Sequence, residues 1–232
     1  ECKPQIEYKN IESEINTNGE IKHLSLSHSF LKDSLIESGS LLIVRDITEK
    51  KEDEAKIKKL YSTILEDLEF ARLTQEALIA DKFPESEFFQ IQTLFLPVEK
   101  VGGDVINYKL KPDKSIDIFF ADVSGHGVSA AMVASSATIA FNVSSEAGLS
   151  PADGLLNIHK LLSPTITQHY ISAIYLNYKP ETGEMIYSYA GHHPILHIDK
   201  DFEIRDLPGN GVLLLAISKP EYANCHFNLK KD

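Results

Sequence analysis

The chain has 232 residues, 43% of them hydrophobic, and a formal net charge of -11, enough for one or two domains with a real core. Its two cysteines, Cys2 and Cys225, exclude a disulfide framework, and its acidic balance argues against a nucleic-acid partner, whose phosphates demand clustered Lys and Arg. Apolar runs such as Val212 to Ile217 fall far short of the roughly 20 residues that cross a bilayer, and Glu1 opens no signal-like segment, so a cytoplasmic protein without a membrane segment is expected.

Alternating apolar residues around Ile11 to Ile15, Ile21 to Leu26 and Leu41 to Val44 predict short antiparallel strands, with a turn at Asn16-Thr17-Asn18-Gly19. The stretch Ser40-Leu41-Leu42-Ile43-Val44-Arg45-Asp46-Ile47-Thr48-Glu49-Lys50-Lys51 resembles the last strand of a PAS sensor domain and its exit motif. The resemblance implies that residues 1–49 are the C-terminal part of a PAS-like sensor whose first strands and pocket helices precede Glu1. The alternative is a small generic pair of hairpins.

A helix is expected from about Thr48 to Ala80. Its apolar positions Ile57, Tyr61, Ile64, Leu68, Ala71 and Leu78 follow alternating spacings of four and three, with Gln75 in the same stripe. That is a heptad seam, and a polar residue within it weakens the seam while helping to set register. Residues 50–81 therefore read as a helical coiled-coil linker that forms a parallel homodimer. An amphipathic helix docked on its own downstream domain fits the same pattern.

Two later segments, Val101-Gly102-Gly103-Asp104 and Ala121-Asp122-Val123-Ser124-Gly125-His126-Gly127, each set an aspartate and glycines beside an apolar, strand-like run. Between them Tyr108 to Phe120 reads as strand, Pro112-Asp113 turn, strand, so both aspartates can sit on one antiparallel hairpin. Paired carboxylates with glycines that permit close backbone approach suit a hard divalent cation. Such strings also occur in ordinary turns. Val128 to Phe141 reads as a buried helix begun by the Gly-His-Gly turn. A second helix is expected near Ala152 to Leu162, after which Thr165 to Gln168 leads back into the sheet. Strands at Ile171 to Tyr178, Met185 to Ala190 and Ile195 to Ile198 then form a β-meander, with Gly191-His192-His193-Pro194 as a bend. His192, His193 and His197 lack the regular spacing of a zinc site, and this region reads as scaffold.

The runs Leu96-Pro97-Val98-Glu99-Lys100-Val101-Gly102-Gly103-Asp104, Asp122-Val123-Ser124-Gly125-His126-Gly127-Val128-Ser129-Ala130-Ala131 and Ala190-Gly191-His192-His193-Pro194 together resemble the bacterial SpoIIE/RsbU branch of the PPM metal-dependent serine/threonine phosphatases. Leu68 to Leu78 resembles the helix leading into that domain, so the likeness runs from about Glu66 to about Ser218. It implies an α+β fold, an αββα sandwich of two antiparallel sheets, over residues 82–232, preceded by the PAS-like strands and a long linker helix. It further implies Asp104 and Asp122 as catalytic metal ligands, the Val123 backbone carbonyl as another ligand, and Gly103, Gly125 and His126 as accessory residues. His126 is either a general acid or a turn former. Two Mn²⁺ or Mg²⁺ ions would activate water for attack on phosphoserine or phosphothreonine, by implication on a phosphorylated STAS-domain anti-anti-sigma factor.

Two departures from the family pattern stand out. Asn107 replaces an acidic residue common among relatives, and a Ser/Thr-Asp-Gly motif carrying a further ligand aspartate is absent before Lys230-Lys231-Asp232, leaving the implied metal site incomplete. The competing classes are a sensor-controlled phosphatase, a catalytically inert sensor or docking module, and a nucleotide cyclase of the GG(D/E)EF kind. The last is discounted because Val105-Ile106 follows Asp104 where Glu-Phe is required.

Overall fold

The computed structural model describes residues 8–33, 36–78, 86–94, 100–216 and 219–229. The chain forms two compact units, Glu1–Glu66 and Asp67–Asp232. The first contains β1 (Tyr8–Thr17), β2 (Glu20–Asp33) and β3 (Ile36–Asp46) in one antiparallel sheet, order β1-β2-β3. The β1–β2 turn is set locally. Asn18 and Gly19 both take positive φ, 54° and 91°, as a two-residue primed turn requires, and Asn16 Oδ1 accepts from Gly19 N at 3.0 Å.

The boundary between the units falls within α1 (Thr48–Glu76). Asp46 starts this helix by accepting from Thr48 N at 3.0 Å and Thr48 Oγ1 at 2.6 Å, which satisfies a donor that the first turn leaves free. Thr48 Oγ1 in turn accepts from His23 N on β2 at 2.9 Å. The helix ends at Glu76, before the expected Ala80; residues 79 and 80 lie outside the described set.

The second unit is built on a five-stranded antiparallel sheet of β4 (Asp104–Leu110), β5 (Ile116–Val123), β6 (Ile171–Lys179), β7 (Glu184–Ala190) and β10 (Cys225–Asn228), in the order β10-β7-β6-β5-β4. Helices α2 (Gly127–Glu146) and α3 (Pro151–Leu162) cover one face. By length and composition α2 is long and apolar enough to cross a bilayer, unlike the short apolar runs of the sequence, yet ten of its residues are buried, including Ala130, Ala134, Ala137 and Phe141. Its alanines let the helix lie close to the sheet, and its buried Thr138 and Ser144 hydroxyls donate to the carbonyls of Ala134 and Ala140, so few polar groups go unpaired. Ser150 caps α3, with Pro151 in its first turn. Phe119 stacks on Phe141 at 5.3 Å between ring centroids, and Tyr175 meets Phe141 edge-on at 5.2 Å.

The opposite sheet face carries a smaller cluster of Ile174, Met185, Tyr187, Tyr189 and Leu207. The expected meander is corrected here. After β7 the chain leaves the sheet at Gly191, where φ is 65°, and β8 (Leu196–Ile198) pairs with β9 (Ile204–Asp206) instead of with β7. The helical layer and the five-stranded sheet thus give the α+β architecture expected. Among the described residues the strands outside that sheet in this unit are the two of the short β8–β9 ribbon.

Candidate metal centre

The β4–β5 hairpin has the register that brings the two candidate carboxylates together. Asp104 lies directly opposite Asp122, and Leu110 opposite Ile116 at the turn end. Along β5 the side chains alternate, with Asp117, Phe119, Ala121 and Val123 buried under the helices and Phe120 and Asp122 exposed on the other face. Asp104 and Asp122 therefore share the helix-free face. Desolvation, followed by the negative charge of Asp122 and a hydrogen bond shared with it, holds the Asp104 carboxyl above the usual carboxylate range. A like-charged pair of this kind is relieved by a cation.

Gly103 makes the third oxygen accessible. A Cβ on it would stand 2.8 Å from the Val123 carbonyl oxygen and 3.3 Å from the Val123 Cβ, so only glycine lets the two strand ends approach so closely. Val123 N donates to Gly103 O at 3.2 Å across the same gap. Two carboxylates and a carbonyl are hard oxygen donors, and the set fits Mg²⁺ or Mn²⁺. Among the described residues no group of three or more His, Cys, Asp or Glu side chains converges as a metal site, so the candidate side-chain ligands brought together here are Asp104 and Asp122.

The turn after Asp122 is held from the segment just before β6. Ser124 N donates to Tyr170 O, and Tyr170 N donates to Ser124 Oγ, both at 2.9 Å. His169 Nδ1 donates to Ser124 O at 2.7 Å, which leaves Nε2 of a neutral ring to accept from Ser129 Oγ at 3.1 Å. Gly125, at φ 90°, lies against that ring: a Cβ there would stand 3.6 Å from His169 Cε1, an ordinary contact, so it is the positive φ that favours glycine. His126 is the α2 N-cap residue, in extended backbone and with no side-chain capping bond. His169 escaped the sequence analysis because its partners lie 40 and 45 residues away.

One further expectation changes. Gln75, placed in the heptad stripe, is 8% exposed; its Nε2 donates to Gly102 O at 2.6 Å and its Oε1 accepts from Gly102 N at 3.2 Å. Lys100 pairs with Glu69 at 3.2 Å, and Asn107 Nδ2 donates to Leu78 O at 3.3 Å. The end of α1 is therefore docked beside the Asp104 strand, as the second reading of the helix allowed. Asn107, buried on the helical face, points away from Asp104. His192, read as scaffold, shares a 2.8 Å hydrogen bond with Ser172 through Nδ1 and lies near enough to Asp104 for each charge to act on the other. A pocket of about 290 Å³ opens beside Asp104, bounded by Gln92 to Leu94 and Phe120.

Against known proteins, the chain is 27% identical over 177 residues to the phosphoserine phosphatase RsbU of Bacillus subtilis (strain 168), covering 75% of this chain and 52% of that protein. It is 28% identical over 159 residues to the phosphoserine phosphatase RsbP of the same organism, covering 66% of this chain and 38% of that one. The chain thus spans about half the length, or less, of these relatives. Among solved structures, the SiaA-PP2C domain of Pseudomonas aeruginosa superposes with a TM-score of 0.62 at 21% identity, covering 74% of this chain and 69% of that one; the fold is PPM-like. The family described as Stage II sporulation protein E (SpoIIE) matches residues 112–232, a span that contains Asp122 and Val123 and begins after Asp104. With more than half of its length in that match and a PPM-like fold around the paired aspartates, the chain belongs to the SpoIIE family.

Proposed function

We propose that this chain is the catalytic part of a sensor-regulated serine/threonine phosphoprotein phosphatase. The observation that carries the reading is the direct cross-strand pairing of Asp104 with Asp122 beside the glycine-exposed Val123 carbonyl. Asp104, Asp122 and the Val123 carbonyl would hold Mn²⁺ or Mg²⁺, two ions in a complete site. When bound, such cations make water more acidic and neutralise phosphate charge. The residues of this chain contribute placement: the hairpin fixes the carboxylates, Gly103 admits the carbonyl, and His169 with Tyr170 holds the turn after Asp122. The relatives' names support phosphoserine as the substrate group, and the resemblance supports a phosphorylated STAS-domain protein as its carrier, in the cytoplasm.

Residues 1–49 act in this reading as the end of a PAS-like sensor, supported by the Asp46–Thr48 exit turn latched to β2. Residues 50–81 are the linker and 82–232 the phosphatase domain. Ile57, Leu60, Tyr61 and Ile64 are each more than half exposed at spacings of three and four, which supports a parallel homodimer through this part of α1. Because Gln75 and Glu69 tie the end of α1 to Gly102 and Lys100, a shift of the helix would move the strand that begins at Asp104.

The test is manganese-dependent phosphate release from a phosphoserine STAS-domain protein. Turnover by the chain that disappears in Asp122→Asn is the expected result; turnover indifferent to that substitution or to metal removal refutes the reading. A second reading, a catalytically inert docking module, is favoured by the convergence of only two side-chain ligands among the described residues. It predicts binding of the phosphoprotein without turnover. For the dimer, Ile64→Cys should cross-link between copies under oxidation at physiological concentration, and failure to capture any dimer removes that part.

A further inference from the structure

Three histidines of the second unit are held in different ways, and the difference assigns a role. His159 is buried, with Nε2 donating to Leu215 O at 2.7 Å. His169 uses both ring nitrogens, on Ser124 and Ser129. These are structural arrangements, in which polar atoms withdrawn from water are paired. His192 is only half-buried, one nitrogen is engaged with Ser172, and its ring meets the exposed Phe120 edge-on at 5.3 Å. Among the described residues Nε2 has no partner.

The place of this ring follows from the sheet. Asp104, Asp122 and Ser172 are successive cross-strand partners on β4, β5 and β6, and so form one row on one face. Gly191 bridges to Ala173 beside Ser172, which sets His192 at the end of that row. Phe120, two residues before Asp122 on the same face, walls the pocket beside Asp104 and supports the His192 ring. His192 is nonetheless no member of a three-residue ligand cluster. A directed N–H donor beside two carboxylates suits an anion carried on the metal, because a phosphoryl oxygen is a strong acceptor.

We propose that His192 binds the phosphoryl group of the substrate through Nε2–H, and that Ser172 is its positioning residue, donating from Oγ to Nδ1 and so keeping the ring proton on Nε2. The proposal rests on the phosphatase reading and adds to it the residue that holds the substrate's phosphate. The two carboxylates and the carbonyl offer a phosphate only acceptors; His192 offers it a donor.

The experiment uses the full chain, inorganic phosphate as the probe, and Mg²⁺ at saturation, with affinity measured by calorimetry and ring protonation by long-range ¹H–¹⁵N spectra of the histidines. Phosphate should shift the His192 Nε2 resonance of the unmodified chain. His192→Ala should weaken phosphate roughly tenfold, the scale of one charge-assisted hydrogen bond, with Mg²⁺ affinity unchanged. Ser172→Ala should give a smaller loss and move the ring proton between nitrogens, and Ser172→Thr should restore both. Unchanged phosphate affinity in His192→Ala, an Nε2 resonance that ignores phosphate, or no phosphate binding by the unmodified chain overturns the proposal. The metal reading is tested apart from it, by Mg²⁺ titration of Asp122→Asn without phosphate, and fails if binding persists.

Discussion

The two ends of β5 carry aspartates in opposite circumstances. Asp117 is 0% exposed beneath the helices and is met on every side: Ser145 Oγ donates to it at 2.6 Å, Tyr175 OH at 2.9 Å, Asn177 Nδ2 at 2.6 Å, and Lys111 Nζ pairs with it at 2.8 Å. Asp122, five residues on and on the other face, is exposed and faces a second carboxylate across the hairpin. A buried charge survives only when paired and hydrogen-bonded, and Asp117 meets that condition within the protein. The Asp122 pair lies open to solvent, and its mutual repulsion is relieved by a proton or by a cation. Satisfaction by the protein's own groups marks a structural carboxylate, and like charge left facing like charge makes Asp122 the candidate for a ligand from outside.

The largest expected effect breaks the structural side of this contrast. Asp117→Ala strands Lys111 and three hydrogen-bond donors in or beside the core, and should cost about 3–5 kcal/mol of unfolding free energy in urea melts, while any folded fraction keeps its metal affinity. Asp122→Asn should do the reverse: Mn²⁺ affinity should fall more than about 100-fold, beyond what loss of a supporting partner does, with no loss of stability in the metal-free protein. Gly103→Ala joins the two sides, since the new Cβ pushes on the Val123 carbonyl. It should cost about 1–3 kcal/mol, the usual scale of overpacking, and weaken Mn²⁺ as well.

The smallest effect is in the pH dependence. The Asp104 carboxyl lies above its ordinary range when folded, so the native metal-free protein holds this proton more tightly than the unfolded chain does. That contribution to stability is fully present below the ordinary carboxylate pKa and is lost as pH rises through the raised value. Thermal melts of the metal-free chain should show this loss. Asp104→Asn should abolish it, and saturating Mn²⁺ should mask it by offsetting the repulsion.

The sequence made the centre of this site legible and its surroundings much less so. Asp104, Asp122 and Val123 could be placed because one short hairpin carries them, and alternation along Ile116 to Val123 decides which face each side chain takes. Asn107 could be noted as a departure, but that its amide turns to Leu78 on the helical face emerged only from the register. Gln75 sat in a heptad stripe whose period is equally satisfied by a second helix or by the chain's own Gly102, and spacing does not distinguish those partners. The meander failed at Gly191, where periodicity was silent about whether β8 returns to β7 or turns to β9.

By itself, then, the sequence determined what is local: the strands, the tight turns at Asn18-Gly19 and Pro112-Asp113, the α2 and α3 helices, and the hairpin that aligns the two aspartates. Each follows from contacts a few residues apart, or from a two-strand register fixed by one turn. Tertiary structure alone decided which histidine clamps the turn after Asp122, which one ends the Asp104–Asp122–Ser172 row, and where the end of α1 docks. Those outcomes join residues 20 to 45 positions apart, where many pairings suit the same local pattern, and only the packing of the whole sheet and its helices selects one of them.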